Sequence, residues 1–169
     1  MRVSYATKGI ALIECLSKKH SEYRVRWDIQ DWKDGEFEGV SFMEEVIFHK
    51  PTLEEIKDII MGWHNSKTSE KIVSKFQWKG MHIWLTIENQ MNYKTAYDLA
   101  VQTDGKNLPY TCKFGDMRNP QYYTFTTFED LQDFYLSMVA YINDAIKQGW
   151  EEKDSFDWQP YVMLLEQTL

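Results

Sequence analysis

Little in this chain of 169 residues announces a chemistry or a compartment. Cysteine occurs twice, as Cys15 and Cys112. Neither sits in a CxxC pair or a Cys/His cluster, which excludes a disulfide framework and a zinc motif and leaves both expected as buried free thiols. The four histidines, His20, His49, His64 and His82, never stand at i,i+4, the spacing that puts two metal ligands on one helix face. No run of about 18 apolar residues is present, and the start Met1-Arg2-Val3-Ser4 lacks a basic segment followed by an apolar one. A membrane span and a signal peptide are therefore not expected, and a soluble protein made and kept in a cytoplasm is. Basic residues are outnumbered, 19 against 26 acidic, for a net charge of −7. A broad electrostatic grip on nucleic acid is not expected from that balance. Neither a G-x-S-x-G elbow nor a Gly-rich phosphate loop before a helix occurs. The reading names no catalytic residue, no metal ligand and no cofactor, and expects a non-enzymatic protein.

What the chain does have is apolar and aromatic substance: 43% hydrophobic residues, with 7 Trp, 10 Tyr and 9 Phe, which is ample for a packed core. Residues 9–16 read as a strand, followed by a polar turn. From Tyr23 to Trp32 the alternation puts Tyr23, Val25, Trp27 and Ile29 on one face and Arg24, Arg26, Asp28 and Gln30 on the other, the pattern of a half-exposed antiparallel strand. Asp34-Gly35 supplies a hairpin turn, and residues 40–49 form the third strand of a meander. After Pro51, Thr52-Leu53-Glu54-Glu55 has the form of a capping box, and Leu53, Ile56, Ile59, Ile60 and Trp63 follow at helical spacing, which predicts a helix over 52–65.

Residues 65–70 read as a polar connection. Phe76 and Trp78 alternate before Lys79-Gly80, and Met81, Ile83 and Leu85 after it, which predicts a short hairpin. Thr86 offers an N-cap to a helix that ends near Thr103-Asp104-Gly105. Residues 108–114 and 121–126 form a second hairpin around the loop 115–120. Thr127 with Asp130 has the spacing of another capping box, and Phe128, Leu131, Phe134, Tyr135, Met138, Val139, Tyr141, Ile142 and Ile146 carry a long helix up to Gly149. The segment from Trp158 to Leu165 is very apolar and must dock. The expected class is α+β: an N-terminal antiparallel meander (1–50), a capped helix and connection (51–74), a β-β-α-β-β-α domain (75–157) and an apolar C-terminal tail (158–169).

Three constellations have a chemical reading. Glu54 and Glu55 form a carboxylate pair, which in a first helical turn serves the macrodipole. Cys112 and His82 fall on neighbouring predicted strands, the one Cys/His pair worth measuring as a nucleophile and base. Trp27, Trp32 and Tyr23 offer aromatic faces to a sugar, although aromatics on a strand more often pack against a core or an interface. The candidate interface comprises Trp158, Tyr161, Val162, Met163, Leu164 and Leu165 in the tail, with Trp27 and Trp32. The polar stretch Glu151-Glu152-Lys153-Asp154 before the tail suggests that it departs to a neighbouring subunit.

The order of elements from about Lys75 to Trp158 resembles that of a domain of unknown function in tailed-phage and prophage proteins, including tail-fibre-associated ones. Ile83-Trp84-Leu85, the run from Glu88 to Lys94, Phe134-Tyr135 and the run from Gly149 to Asp154 carry the likeness. The segments Tyr23-Arg24-Val25-Arg26-Trp27 and Lys50 to Lys57 resemble uncharacterised proteins of gut Bacteroidetes and their phages. The resemblance implies a structural or assembly component of a virion, associated with tail, neck or fibre. Its partners would be other virion proteins and further copies of itself, without nucleic acid or membrane. A small phage protein that binds a host factor, a carbohydrate-binding module and an enzyme with an unfamiliar site are the alternatives.

Overall fold

Alternating side chains build antiparallel strands in the first part of the chain, and their register decides which residues meet. The computed structural model describes residues 1–115 and 118–167, so Asp116 and Met117 of the expected loop and the last two residues of the expected tail lie outside the described residues. Among the described residues there are eight strands and four helices, in an α+β arrangement with antiparallel pairing throughout. Contacts within the chain divide it into two units, Met1–Trp63 with Ser155–Leu169, and His64–Asp154.

In the first unit, β1 (Arg2–Ala6), β2 (Ile13–Ser17), β3 (Glu22–Asp34) and β4 (Phe37–Ile47) form one sheet in the order β1-β4-β3-β2. The sequence predicts three strands here; the fourth, β1, falls in residues that carry no strand in that prediction. Because β1 and β2 lie at opposite edges, residues 7–12 cross the sheet between them, and the Arg26 amide donates to the Leu12 carbonyl at 2.8 Å on the way. A bulge between Trp27 and Gln30, with Asp28 at φ 50°, breaks the expected alternation and leaves Ile29 exposed. Val25 and Trp27 of β3 pack with Ile56 and Ile60 of α1 (Leu53–Ser74) and with Tyr161 of α4 (Gln159–Gln167).

Helix α1 starts as predicted. The Glu55 amide donates to Thr52 Oγ1 at 3.2 Å, and the Thr52 amide donates back to Glu55 Oε2 at 2.8 Å, the reciprocal pair that satisfies two orphan donors. The helix does not stop at 65, however, but runs to Ser74. The polar stretch 65–70 is helical, with exposed residues such as Asn65, Ser66 and Lys67 on its outer side, and Ile72 packs against the core of the second unit.

The second unit contains β5 (Gln77–Trp78), β6 (Met81–His82), α2 (Ile87–Thr103), β7 (Tyr110–Gly115), β8 (Pro120–Phe125) and α3 (Phe128–Asp154). Lys79 and Gly80, both at positive φ, make the two-residue turn between β5 and β6. Thr86 accepts from the Asn89 amide at the start of α2, and Asp104 in the left-handed conformation ends it. Phe134 of α3 lies at the centre of the core, with the rings of Trp78, Tyr93, Phe114 and Phe125 at 5.1–5.5 Å. Helix α3 continues past Gly149 to Asp154, and a side chain at position 149 would lie 2.3 Å from Thr68 Oγ1. Its glycine marks a close approach rather than an end. Thr127 caps α3 by accepting from the Asp130 amide at 3.3 Å. The Asp130 carboxylate does not complete the expected box; it binds Lys79 and the Tyr123 hydroxyl, clasping the β5–β6 turn to β8.

Candidate interaction surface

Helix α4 forms from the segment the sequence reads as a tail. Asp157 Oδ1 accepts from the Gln159 amide at 3.0 Å, and Pro160 falls in the first turn, where its missing N–H costs nothing. Trp158, Tyr161 and Leu165 then share one helical face and pack into the core of the first unit. Tyr161 is 3% exposed, and its hydroxyl donates to the Arg26 carbonyl at 2.7 Å. Burial pushes its ionisation upward. The expected departure of the tail to a neighbour is thus corrected for its inward side: Trp158, Tyr161 and Leu165 are covered by their own chain, in the cluster that contains Val25, Trp27, Ile56 and Ile60.

The eight expected interface residues accordingly fall apart into different environments. Trp27, 1% exposed and edge-to-face with Trp63 at 6.3 Å, is core and offers no surface. Tyr161 is core too, and Trp158 packs on it beneath Lys57. Leu164 is half-buried. Met163 is exposed. Val162 and Leu165 form one wall of an apolar cleft of about 420 Å³, completed by Lys50, Pro51, Thr52, Leu53 and Glu166. Trp32 lies elsewhere, its ring tilted at 52° against that of Tyr5 with centroids 4.9 Å apart, beside a smaller recess in which Lys8 pairs with Asp31 and Lys33 with Glu38. With Trp27 inside the core, the sugar-stacking face of Trp27, Trp32 and Tyr23 does not assemble.

The cleft sits where β4 gives way to α1. Phe48, the residue after β4, is 73% exposed, and Pro51 is buried. At the cap behind the cleft, the Glu55 carboxyl is held at about 2 by the Thr52 amide, with further help from His49 and the Thr52 hydroxyl. Its hydrogen bonds with Thr52 make this carboxylate part of the cap of α1. Glu54 beside it is exposed. The cleft therefore presents apolar walls with Lys50 and Glu166 as the charged members of its lining.

The other face of the sheet carries a feature that the sequence reading missed. Arg24 and Arg26, expected on an exposed face, meet Glu44 of β4, which is 2% exposed. Arg2 Nε donates to Glu44 Oε1 at 2.7 Å, Ser4 donates to the same oxygen at 2.8 Å, and Arg24 Nε stands 3.2 Å from Oε2. Arg26, itself 6% exposed, binds Glu14 at 2.5 Å and the Ala11 carbonyl at 2.8 Å. Burial alone would raise the Glu44 carboxyl, but the hydrogen bonds from Ser4 and Arg2 and the charge of Arg24 outweigh it and hold it low. All four strands contribute to this ionic belt. Its signal in the sequence is the alternation Arg24, Arg26 against Glu44, legible only once Arg26 is known to lie opposite Glu44.

The thiols differ from expectation in one respect. Cys112 is buried and its thiol is pushed up by burial, the state of an unreactive core sulfur. Cys15, on the edge strand β2, is exposed. His82 is engaged by the Ser74 carbonyl at 2.5 Å and packs edge-on against Trp84. Among the described residues no three of His, Cys, Asp and Glu converge as a metal site, and no helix is long and apolar enough to cross a membrane. Comparison with protein families, with characterised proteins and with solved structures finds no match to this chain.

Proposed function

We propose that this chain is a non-enzymatic structural or assembly component of a tailed-phage or prophage virion, tail-, neck- or fibre-associated, that acts through protein–protein contacts. The observation that carries the interface part is the cleft over α4, with Phe48 and Met163 exposed on the same unit. Isolated apolar residues on a surface are ordinary, but an apolar hollow with large exposed side chains close by marks a contact surface. The virion setting rests on the resemblance in residues 75–158 and on the segments Tyr23 to Trp27 and Lys50 to Lys57. Other virion proteins and further copies of the chain are its partners in this reading, and it is made in the host cytoplasm.

The test is a phage or prophage strain lacking this chain, examined by negative-stain imaging and by plaque formation. Defective or incomplete particles are expected, together with recovery of the chain in purified wild-type particles. Normal assembly and infectivity without it, or its absence from purified particles, contradicts the role.

A further inference from the structure

We infer that the hollow between the C-terminal halves of α1 and α3 binds one pyranose ring of a neutral glycan, with Trp150 as its stacking surface. This is a binding function separate from the contact surface beside α4.

The hollow follows from two stripes at helical spacing. On α1, Asn65, Thr68, Ser69 and Ile72 line it, at i, i+3, i+4 and i+7. On α3, Ile146, Gly149, Trp150 and Lys153 line it at the same spacing. The helices run antiparallel, with Asn65 bonded to Lys153, Lys67 to Glu152 and Lys71 to Gln148. They approach closely where a Cβ on Gly149 would lie 2.3 Å from Thr68 Oγ1. The pairs made by Lys67 and Lys71 tie the helices along one flank, and none of their four residues lines the hollow. The hollow encloses about 280 Å³, just below the roughly 300–1,000 Å³ of pockets that bury a drug-sized ligand, so it admits a single ring rather than a large molecule.

The lining names the chemistry of that ring. A lone exposed Trp is ordinary on a protein surface, but Trp150, 59% exposed, borders a hollow that carries four polar side chains. Lys153 donates to Asn65 Oδ1 at 3.0 Å, which uses the amide oxygen and one of three ammonium protons. The Asn65 amide protons and the other ammonium protons are donors for a ligand, and the hydroxyls of Thr68 and Ser69 donate or accept. A pyranose offers the complement to both parts: a C–H face for the indole and a rim of hydroxyls for the polar groups. Among the described residues no carboxylate lines the hollow, so a cationic ligand would lack a counter-charge there. The net charge of −7 opposes a polyanion. A neutral sugar meets neither obstacle.

Amide and indole N–H NMR spectra of the full chain test this, in titrations with the methyl glycosides of glucose, galactose, mannose and N-acetylglucosamine. Glycerol serves as a polyol without a ring face, and sodium glucuronate as an acidic sugar. At least one neutral glycoside is expected to shift the Trp150 indole signal, identified by its loss in Trp150→Phe, together with amides of residues 65–72 and 146–153. The shifts should saturate in the millimolar range, as befits one ring at an open site. Trp150→Ala removes an exposed side chain and should keep the far-ultraviolet dichroism and melting temperature while weakening binding about tenfold or more. Trp150→Phe, which restores a ring, should recover part of that loss, and Ser69→Ala should weaken binding about fivefold, the effect of one lost hydrogen bond. No saturable shift with any neutral glycoside, equal shifts with glycerol, or shifts that spare Trp150 overturn the proposal. So does a Trp150→Ala chain that binds as well as wild type, or tighter binding of glucuronate than of every neutral glycoside.

Discussion

The two units of this chain reach their cores by different routes. In the second, the residues of one core lie within 64–154, and nearly every element begins or ends at a local signal: Thr86 and Thr127 as caps, Lys79-Gly80 as a turn, Asp104 as a left-handed stop. In the first, residues 1–63 need 155–169 to close their core, and a belt of three arginines and two glutamates spans the sheet on its other face. Aromatic packing dominates the one, and long-range closure with buried charge dominates the other. The lesson is that a unit assembled from neighbours in sequence can lose one side chain and keep its outline, whereas one closed by a distant segment depends on that segment.

Removing residues 158–169 is the severest way to break this contrast. The first unit then exposes Val25, Trp27, Ile56 and Ile60 and loses burial of Trp158, Tyr161 and Leu165, about 4.5–9 kcal/mol at roughly 1.5–3 kcal/mol for each large side chain. Set against a typical domain stability of about 5–15 kcal/mol, that is enough to melt it. Hydrogen exchange should show lost protection in β2, β3 and β4, with α2 and α3 still protected; equal protection in both units would contradict the division.

Phe134→Ala applies a comparable blow to the other side. It leaves a cavity among Trp78, Tyr93, Phe114 and Phe125, at a cost of about 3–5 kcal/mol. Chemical denaturation followed by exchange should place the loss in residues 64–154, and a loss confined to the sheet of the first unit would count against it.

Glu44→Ala comes next. It strands Arg26, 6% exposed, without its cross-strand carboxylate. A buried pair broken from one side usually costs 3–5 kcal/mol, and about 2–3 kcal/mol is expected here because Arg2 and Arg24 reach water and Glu14 still holds Arg26. A midpoint of urea unfolding equal to that of wild type would show that the belt does not stabilise the sheet.

The mildest change is at the cap of α1, where Thr52→Ala should cost about 1 kcal/mol. Its partner Glu55 adds a pH dependence. A carboxyl held at about 2 in the folded chain against 4.5 ordinarily adds stability that is fully present above 4.5 and fades as pH falls through about 2. Glu55→Gln should flatten that part of an acid titration of stability. An unchanged profile would show that the cap carboxylate is not what responds.

What could be read from the sequence follows the same contrast. The caps at Thr52, Thr86 and Thr127, the turn at Lys79-Gly80 and the apolar period of α3 are local patterns, and the structure has all of them. The helix ends were harder. The polar residues 65–70 look like a connection, and Gly149 looks like a stop, until Thr68 is known to sit against Gly149. In the first unit, the pairing of Arg26 with Glu44 depends on strand register, and the docking of α4 depends on a core built more than 90 residues earlier in the chain. The candidate surface suffered most from this. The apolar tail residues were visible, but which of them face inward was decided by Val25, Trp27 and Ile60; the cleft between Pro51 and Val162 joins two places that no sequence spacing connects.

The central claim is that the outward side of α4 and the cleft beside it are the contact surface, while the inward side belongs to the chain's own core. Hydroxyl-radical footprinting of the chain, dilute and then in purified particles, tests this most directly. The account predicts that Phe48, Pro51, Val162 and Met163 become protected on assembly, while Trp27 and Tyr161 are protected in both states. Unchanged labelling of Phe48, Val162 and Met163 in the particles, or strong labelling of Tyr161 in the dilute chain, would contradict it.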